Sequence, residues 1–142
     1  MEPAFWDSSS LVPLCVKQSG TPAAQALSQR FSMLVWWAAP VEIRGASARL
    51  LRMGQITSSE HVGAQVRLDE LRSKWREVSP EQPLRDQAER LIDRFPLKAA
   101  DALQLAAALV WCAGRPGARA FISGDAQLRE AARQLGFQVF QS

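Results

Sequence analysis

Histidine is nearly absent from this 142-residue chain, with His61 its single example. A His-based general base or catalytic triad is thereby close to excluded, unless it uses that residue. Cysteine is scarce as well: Cys15 and Cys112 stand far apart, without Cys-x-x-Cys or Cys/His ligand spacing. That excludes zinc fingers and redox motifs and reads as two buried, reduced thiols in a cytoplasmic protein. Long hydrophobic runs are missing too. The longest, Met33–Val41 and Leu105–Ala113, are about half the ~20 residues that a membrane span needs. The opening Met1-Glu2-Pro3-Ala4-Phe5-Trp6-Asp7 is acidic and lacks the basic start of a signal peptide. No internal repeat, low-complexity tract or linker divides the chain. Gly114-Arg115-Pro116-Gly117 lacks phosphate-loop spacing and reads as a turn.

What remains is an ordinary globular composition, 47% hydrophobic, 22% charged and 8% aromatic. The length suits one domain, residues 1–142, able to bury roughly 68–70% of its unfolded surface. A net charge of +3 permits a polyanionic partner without requiring one.

Short apolar runs alternate with longer helical patterns, the signature of a mainly parallel sheet covered by helices: an α/β, three-layer fold. Strands are expected at Ala4–Trp6, Met33–Ala38, Trp75–Val78, Ala118–Ser123 and Gln138–Phe140. Helices are expected from Ser8, from Thr21-Pro22 with Thr21 as cap, and from Pro40 with Val41, Ile43, Ala46, Leu50 and Leu51 on one side. Thr57-Ser58-Ser59-Glu60 is a capping box, Ser79-Pro80 opens a further helix, and Lys98–Ala113 and the stretch after Gly124-Asp125 complete the set. Of the five tryptophans, Trp36, Trp37 and Trp111 read as core. Trp75, among basic residues, is open to RNA or partner contact, although a core position explains it too.

Ligands of an open parallel sheet bind outside the carboxyl ends of its strands. Four acidic residues fall there: Asp7 after the first strand, Glu42 and Asp101 in the first turns of helices, and Asp125 after a late strand. Each taken alone is explained by capping or by the helix dipole. Asp101 and Glu42, however, are embedded in apolar segments, where a carboxylate is costly without a partner. Four carboxylates converging on one crevice repel each other unless a cation compensates. An all-oxygen set suits Mg²⁺ or Mn²⁺, and such a metal does phosphodiester chemistry. Arg44 and Lys98 are candidates to hold a nucleic-acid backbone.

The segments Phe5-Trp6-Asp7-Ser8-Ser9-Ser10-Leu11-Val12, Val41-Glu42-Ile43-Arg44, Ala100-Asp101-Ala102-Leu103-Gln104-Leu105-Ala106 and Phe121-Ile122-Ser123-Gly124-Asp125 resemble the PIN domain. Within it they resemble the VapC-type ribonuclease toxins of toxin–antitoxin pairs. The resemblance runs from about Ala4 to Phe140. It implies a PIN-like α/β/α fold, Mg²⁺- or Mn²⁺-dependent endoribonuclease activity, a homodimer and inhibition by a small VapB-type antitoxin. Asp7, Glu42, Asp101 and Asp125 match the family's acidic quartet, with Asp7, Asp101 and Asp125 on the metal and Glu42 completing the cluster. Ser9 and Ser123 match its supporting hydroxyls. Two positions depart from the family pattern. Ala38-Ala39-Pro40 stands where many relatives carry Ser or Thr, and Gln104 stands where relatives often carry histidine.

The rival readings differ in class. A phosphoacceptor receiver needs an acidic pair after the first strand, and a haloacid-type phosphatase needs Asp-x-Asp; serines occupy those places here. The non-enzyme rival is a PIN-like module that binds RNA or protein without cutting.

Overall fold

Five strands and seven helices account for the computed structural model, which describes all 142 residues. They are β1 (Glu2–Trp6), α1 (Ser8–Cys15), α2 (Thr21–Arg30), β2 (Phe31–Trp36), α3 (Ala39–Arg52), α4 (Ser58–Arg72), β3 (Arg76–Val78), α5 (Gln82–Arg94), α6 (Ala99–Trp111), β4 (Ala120–Ser123), α7 (Ala126–Leu135) and β5 (Gln138–Gln141). All strands are parallel, in the order β3-β2-β1-β4-β5. The chain runs outward from β1 through β2 to β3, then returns to add β4 and β5 on the other side. Strand order therefore reverses between β1 and β4, and a crevice opens outside their carboxyl ends.

Central strands are buried on both faces, and the sequence obliges: Ala4, Phe5, Trp6, Phe121 and Ile122 are fully enclosed. Side-chain alternation splits them between two cores. Phe5, Leu34, Trp36 and Phe121 pack beneath α5, α6 and α7, with the Phe5 and Phe121 rings stacked at 5.5 Å. Trp6, Phe31, Val35 and Ile122 pack against α1, α3 and α4 on the opposite face. This is the three-layer α/β/α arrangement expected from the alternating pattern. No helix is long and apolar enough to cross a membrane.

Several local expectations change. Thr21 is the first residue of α2 and does not cap it; its hydroxyl donates to the Pro13 carbonyl and accepts from the Gln18 N–H, tying α2 to α1. Val41 is 72% exposed, because α3 turns Ile43 and Ser47 inward. Trp37 is 54% exposed, since β2 ends one residue earlier, at Trp36. Trp75 is buried in the α1/α3/α4 core with its indole N–H on Glu77 Oε2, which removes it as an RNA-stacking surface. The α5 helix begins at Gln82, behind Glu81, rather than at Ser79-Pro80. Both cysteines are free and buried. His61 shares a 2.7 Å hydrogen bond with Ser47 between α4 and α3, a structural role.

The capping box at α4 is complete: Thr57 Oγ1 accepts from the Glu60 N–H, and Glu60 Oε1 accepts from the Thr57 N–H. Thr57→Ala removes the hydroxyl half of it and should lower stability by about 1 kcal/mol, seen as a lower urea midpoint at unchanged slope.

Candidate active site

Asp7 immediately follows β1 and is the N-cap residue of α1, yet its side chain makes no cap bond. Its backbone N–H continues the sheet by donating to Ile122 O at 2.9 Å. Its carboxylate, 4% exposed, is instead gripped across the strand-order reversal. Ser123 Oγ, at the end of β4, donates to Asp7 Oδ2 at 2.8 Å, and Ser9 Oγ donates to the same oxygen. The two hydroxyls accept in turn from the backbone of the turn after β4: Gly124 N–H to Ser9 Oγ at 2.9 Å and Asp125 N–H to Ser123 Oγ at 3.0 Å. The expected supporting serines thus hold the carboxylate itself.

Glu42 projects from the first turn of α3, half-buried. Its Oε1 accepts from Ser8 Oγ at 2.8 Å and from Gln104 Nε2 at 2.6 Å. Gln104 Nε2 also donates to Ser8 Oγ at 2.7 Å, so one amide of α6 closes a ring with α1 and α3. Ser8 and Gln104 were not among the site residues expected from sequence. The available signal was an amide set among alanines and leucines in α6, where a polar side chain needs a partner. Gln104 is 1% exposed, and its Oε1 has no hydrogen-bond partner.

Asp101 lies in the first turn of α6, and Asp125 caps α7 by accepting from the Leu128 N–H at 2.9 Å. For Asp125 the capping role is therefore real. Arg129 Nη1 donates to Ser123 O at 3.0 Å and stiffens the same turn. Lys98 is exposed beside Asp101 and partly offsets its charge. Arg44 is exposed two residues past Glu42, hence on a different face of α3.

Burial dominates the electrostatics. It pushes Asp7 from an ordinary 3.8 up to about 6, against the lowering effect of Ser9 and Ser123, and Asp101 and Glu42 add repulsion. Glu42 is raised by burial, opposed by its Ser8 and Gln104 hydrogen bonds and reinforced by Asp101. Asp101 is raised by burial and then by Asp125, with Lys98 opposing. Repulsion thus couples all four carboxylates. The protein's one ion pair, Arg133–Glu130, lies elsewhere. No three acidic, histidine or cysteine side chains converge closely enough to clamp a metal ion as they stand. The carboxylates form a shared edge without an ion pair rather than a finished coordination sphere.

A carboxyl raised in the folded state destabilises the fold once the pH exceeds its unfolded value, and the penalty is complete above its folded value. For Asp7 that window runs from about 4 to about 6, with a penalty of about 3 kcal/mol when the group is ionised. In EDTA at pH 7.5, Asp7→Asn should therefore be more stable than wild type by up to about 3 kcal/mol, and the difference should vanish towards pH 4. Urea unfolding across that range measures it; a pH-independent difference would contradict the assignment.

No family model and no curated protein matches the sequence. Solved structures do match. A chain of a toxin–antitoxin complex from Klebsiella pneumoniae superposes with a TM-score of 0.64 at 16% identity, over 96% of this chain and 95% of that one. A chain of VapBC2 from Rickettsia felis, solved bound to a promoter DNA fragment, gives 0.64 at 9% identity, over 97% of each chain. A chain of FitAcB from Neisseria gonorrhoeae gives 0.66 at 15% identity, over 96% of each. At these identities the likeness establishes the architecture: the chain has the PIN-like three-layer fold seen in these toxin–antitoxin structures.

Proposed function

We propose that this protein is a metal-dependent endoribonuclease of the VapC toxin type, held in check by a small antitoxin. One observation carries the proposal: Asp7, anchored at the strand-order reversal by Ser9 and Ser123, is electrostatically coupled to Glu42 and Asp101, and Asp101 to Asp125, with no ion pair among them. Asp7 is buried without a cationic partner, and repulsion among the four persists although Lys98 partly offsets Asp101. The donor set is all oxygen, the chemistry a hard divalent cation takes, and Asp7, Asp101 and Asp125 would hold it once their carboxylates closed on it. Bound there, Mg²⁺ or Mn²⁺ supplies positive charge against phosphoryl oxygens and eases ionisation of water.

The chain's own residues supply position and proton handling. Ser9 and Ser123 fix one Asp7 oxygen, so the carboxylate has a single orientation. Ser8 and Gln104 occupy Glu42 Oε1, which leaves Oε2 to receive a proton from an attacking water. Its proton affinity, raised by burial, favours that task. As water adds to phosphorus, a P–O bond of the backbone breaks and the departing oxygen takes up a proton. Exposed Lys98, beside Asp101, is the cation we assign to the RNA backbone; Arg44, on a different face of α3 from Glu42, would reach only a more distant stretch of it.

Partners follow from the same reading. Val62 and Val66 lie four residues apart on α4 and are both exposed, as is Met53 at the end of α3. The exposed Val62–Val66 face of α4 suits an amphipathic antitoxin segment, and the family resemblance adds a homodimer acting on cytoplasmic RNA.

Asp7→Asn or Asp101→Asn should lower RNA cleavage in Mn²⁺ by at least ~100-fold, about 2.7 kcal/mol of transition-state stabilisation, and EDTA should abolish it in wild type. Wild-type turnover by either purified variant would refute the site. Absence of cleavage by a folded wild type in either metal would favour the binding-module alternative. In cells, expression alone should arrest bacterial growth, and co-expression of the antitoxin encoded beside it should restore growth; normal growth at verified soluble expression counts against a toxin.

A further inference from the structure

The carboxyl ends of β2 and β3 lie on the far side of Asp7 from β4. Phe5 pairs with Leu34, so the same register carried two residues on sets Asp7 beside Trp36, and Trp36 pairs in turn with Val78 of β3. Neighbouring strands are about 4.8 Å apart, which places these ends one and two strand spacings from Asp7. A cavity of about 370 Å³ opens there, walled by Trp36, Leu84 and Leu103 and rimmed by Glu81, Gln82 and Arg85. Its size falls within the range of small-ligand sites. Leu103 is the residue before Gln104, so α6 forms both the cavity wall and the Glu42 clasp.

The rim is unusual in how its charges are left. Glu81 is the N-cap residue of α5 but makes no cap bond. Arg85 stands four residues further on, the spacing at which a Glu–Arg pair normally closes on a helix. It does not close here. Arg85 Nη2 instead donates to Gln82 Oε1, while Gln82 Nε2 donates to Asp86 Oδ1 at 2.9 Å. Gln82 thus holds the guanidinium apart from Glu81. An acceptor and a cationic donor remain separately available on the rim of a partly apolar cavity.

We infer that this cavity is a nucleobase subsite, taking the base of a nucleotide next to the bond that is cut, and that it favours guanine. The inference rests on the ribonuclease reading. Guanine is the base whose edge presents two adjacent donors, N1–H and the N2 amino group, for a carboxylate, together with O6 and N7 acceptors for an arginine. Partly exposed Leu103 meets its face, with buried Trp36 and Leu84 as the backing behind it. Exposed Trp37, edge-on to Trp36 with ring centroids 6.3 Å apart, offers a stacking surface for the neighbouring base.

The test titrates GMP, AMP, CMP and UMP into the full-length protein in EDTA, followed by NMR shift perturbation, for wild type, Glu81→Gln and the cavity-filling Leu103→Trp. GMP should bind at least ~10-fold more tightly than the others, and both variants should lose that preference. Glu81 is exposed, so its variant tests the rim without disturbing the core. In parallel, oligonucleotides differing in one base beside the cut should show Glu81→Gln slowed on guanine alone. Equal binding of all four nucleotides, no binding, or a GMP preference untouched by both variants overturns the subsite, whether or not RNA is cut. GMP binding as expected, with no cleavage of any RNA in Mn²⁺, upholds the subsite and overturns the ribonuclease reading.

Discussion

Burial of one carboxylate at the point where strand order reverses is the constraint around which the molecule is arranged. Asp7 is nearly inaccessible and has no cation beside it, so its charge is met only by hydroxyl dipoles. Those hydroxyls are themselves oriented by two backbone N–H groups of the turn after β4. Such a relay polarises each bond by the next and stiffens the turn, but it cannot replace a full counter-charge. Repulsion from Asp101 and Glu42 adds to the cost. The raised proton affinity of Asp7 makes its ionised form costly to the fold at this edge.

The first turn of α1 acts as the junction. Its three consecutive serines serve three different acceptors: Ser8 binds Glu42 Oε1, Ser9 the Asp7 carboxylate and Ser10 the Asp7 carbonyl. On a helix, successive residues point about 100° apart, so three neighbours can reach three directions. Through them α1 is fastened to α3, to β4 and to its own cap. Gln104 adds α6 to this assembly. A glutamine at that place is neutral at every pH, so the orientation of Glu42 does not depend on the protonation of its clasp, as it would with histidine.

The two sides of the carboxylate crevice differ in chemistry. Towards β4 the elements are tightly hydrogen-bonded and polar. Towards β3 they open into an apolar-walled cavity with unpaired charges at its rim. On the ribonuclease reading, an extended polyanion crossing the edge would meet the carboxylates at the reversal and the cavity beside them, a division that phosphate positioning and base readout ordinarily follow.

Alternating apolar runs and helical stretches were enough to read the α/β class, the order of elements and the two-sided burial of β1 and β4, because both faces of a central parallel strand must be apolar. The quartet was legible as acidic residues at strand and helix ends, and the capping box at Thr57 was legible because its bonds are local. Contacts that depend on distant segments were not. Trp37 and Val41 look like core in an apolar run, yet they emerge into solvent because β2 stops at Trp36 and α3 turns Ile43 inward. Trp75, set among charges, is drawn inward by packing against α1, α3 and α4. Asp7 and Asp125 both occupy cap positions, and only the fold assigns the capping bond to Asp125 and the buried serine grip to Asp7, since that grip joins residues 116 positions apart. Residue type and spacing determined which groups this chain brings to the carboxyl edge of its sheet. Tertiary structure decided which of them are clasped, which are left uncompensated and what cavity lies beside them, because burial and hydrogen-bond partners arise only when remote segments meet.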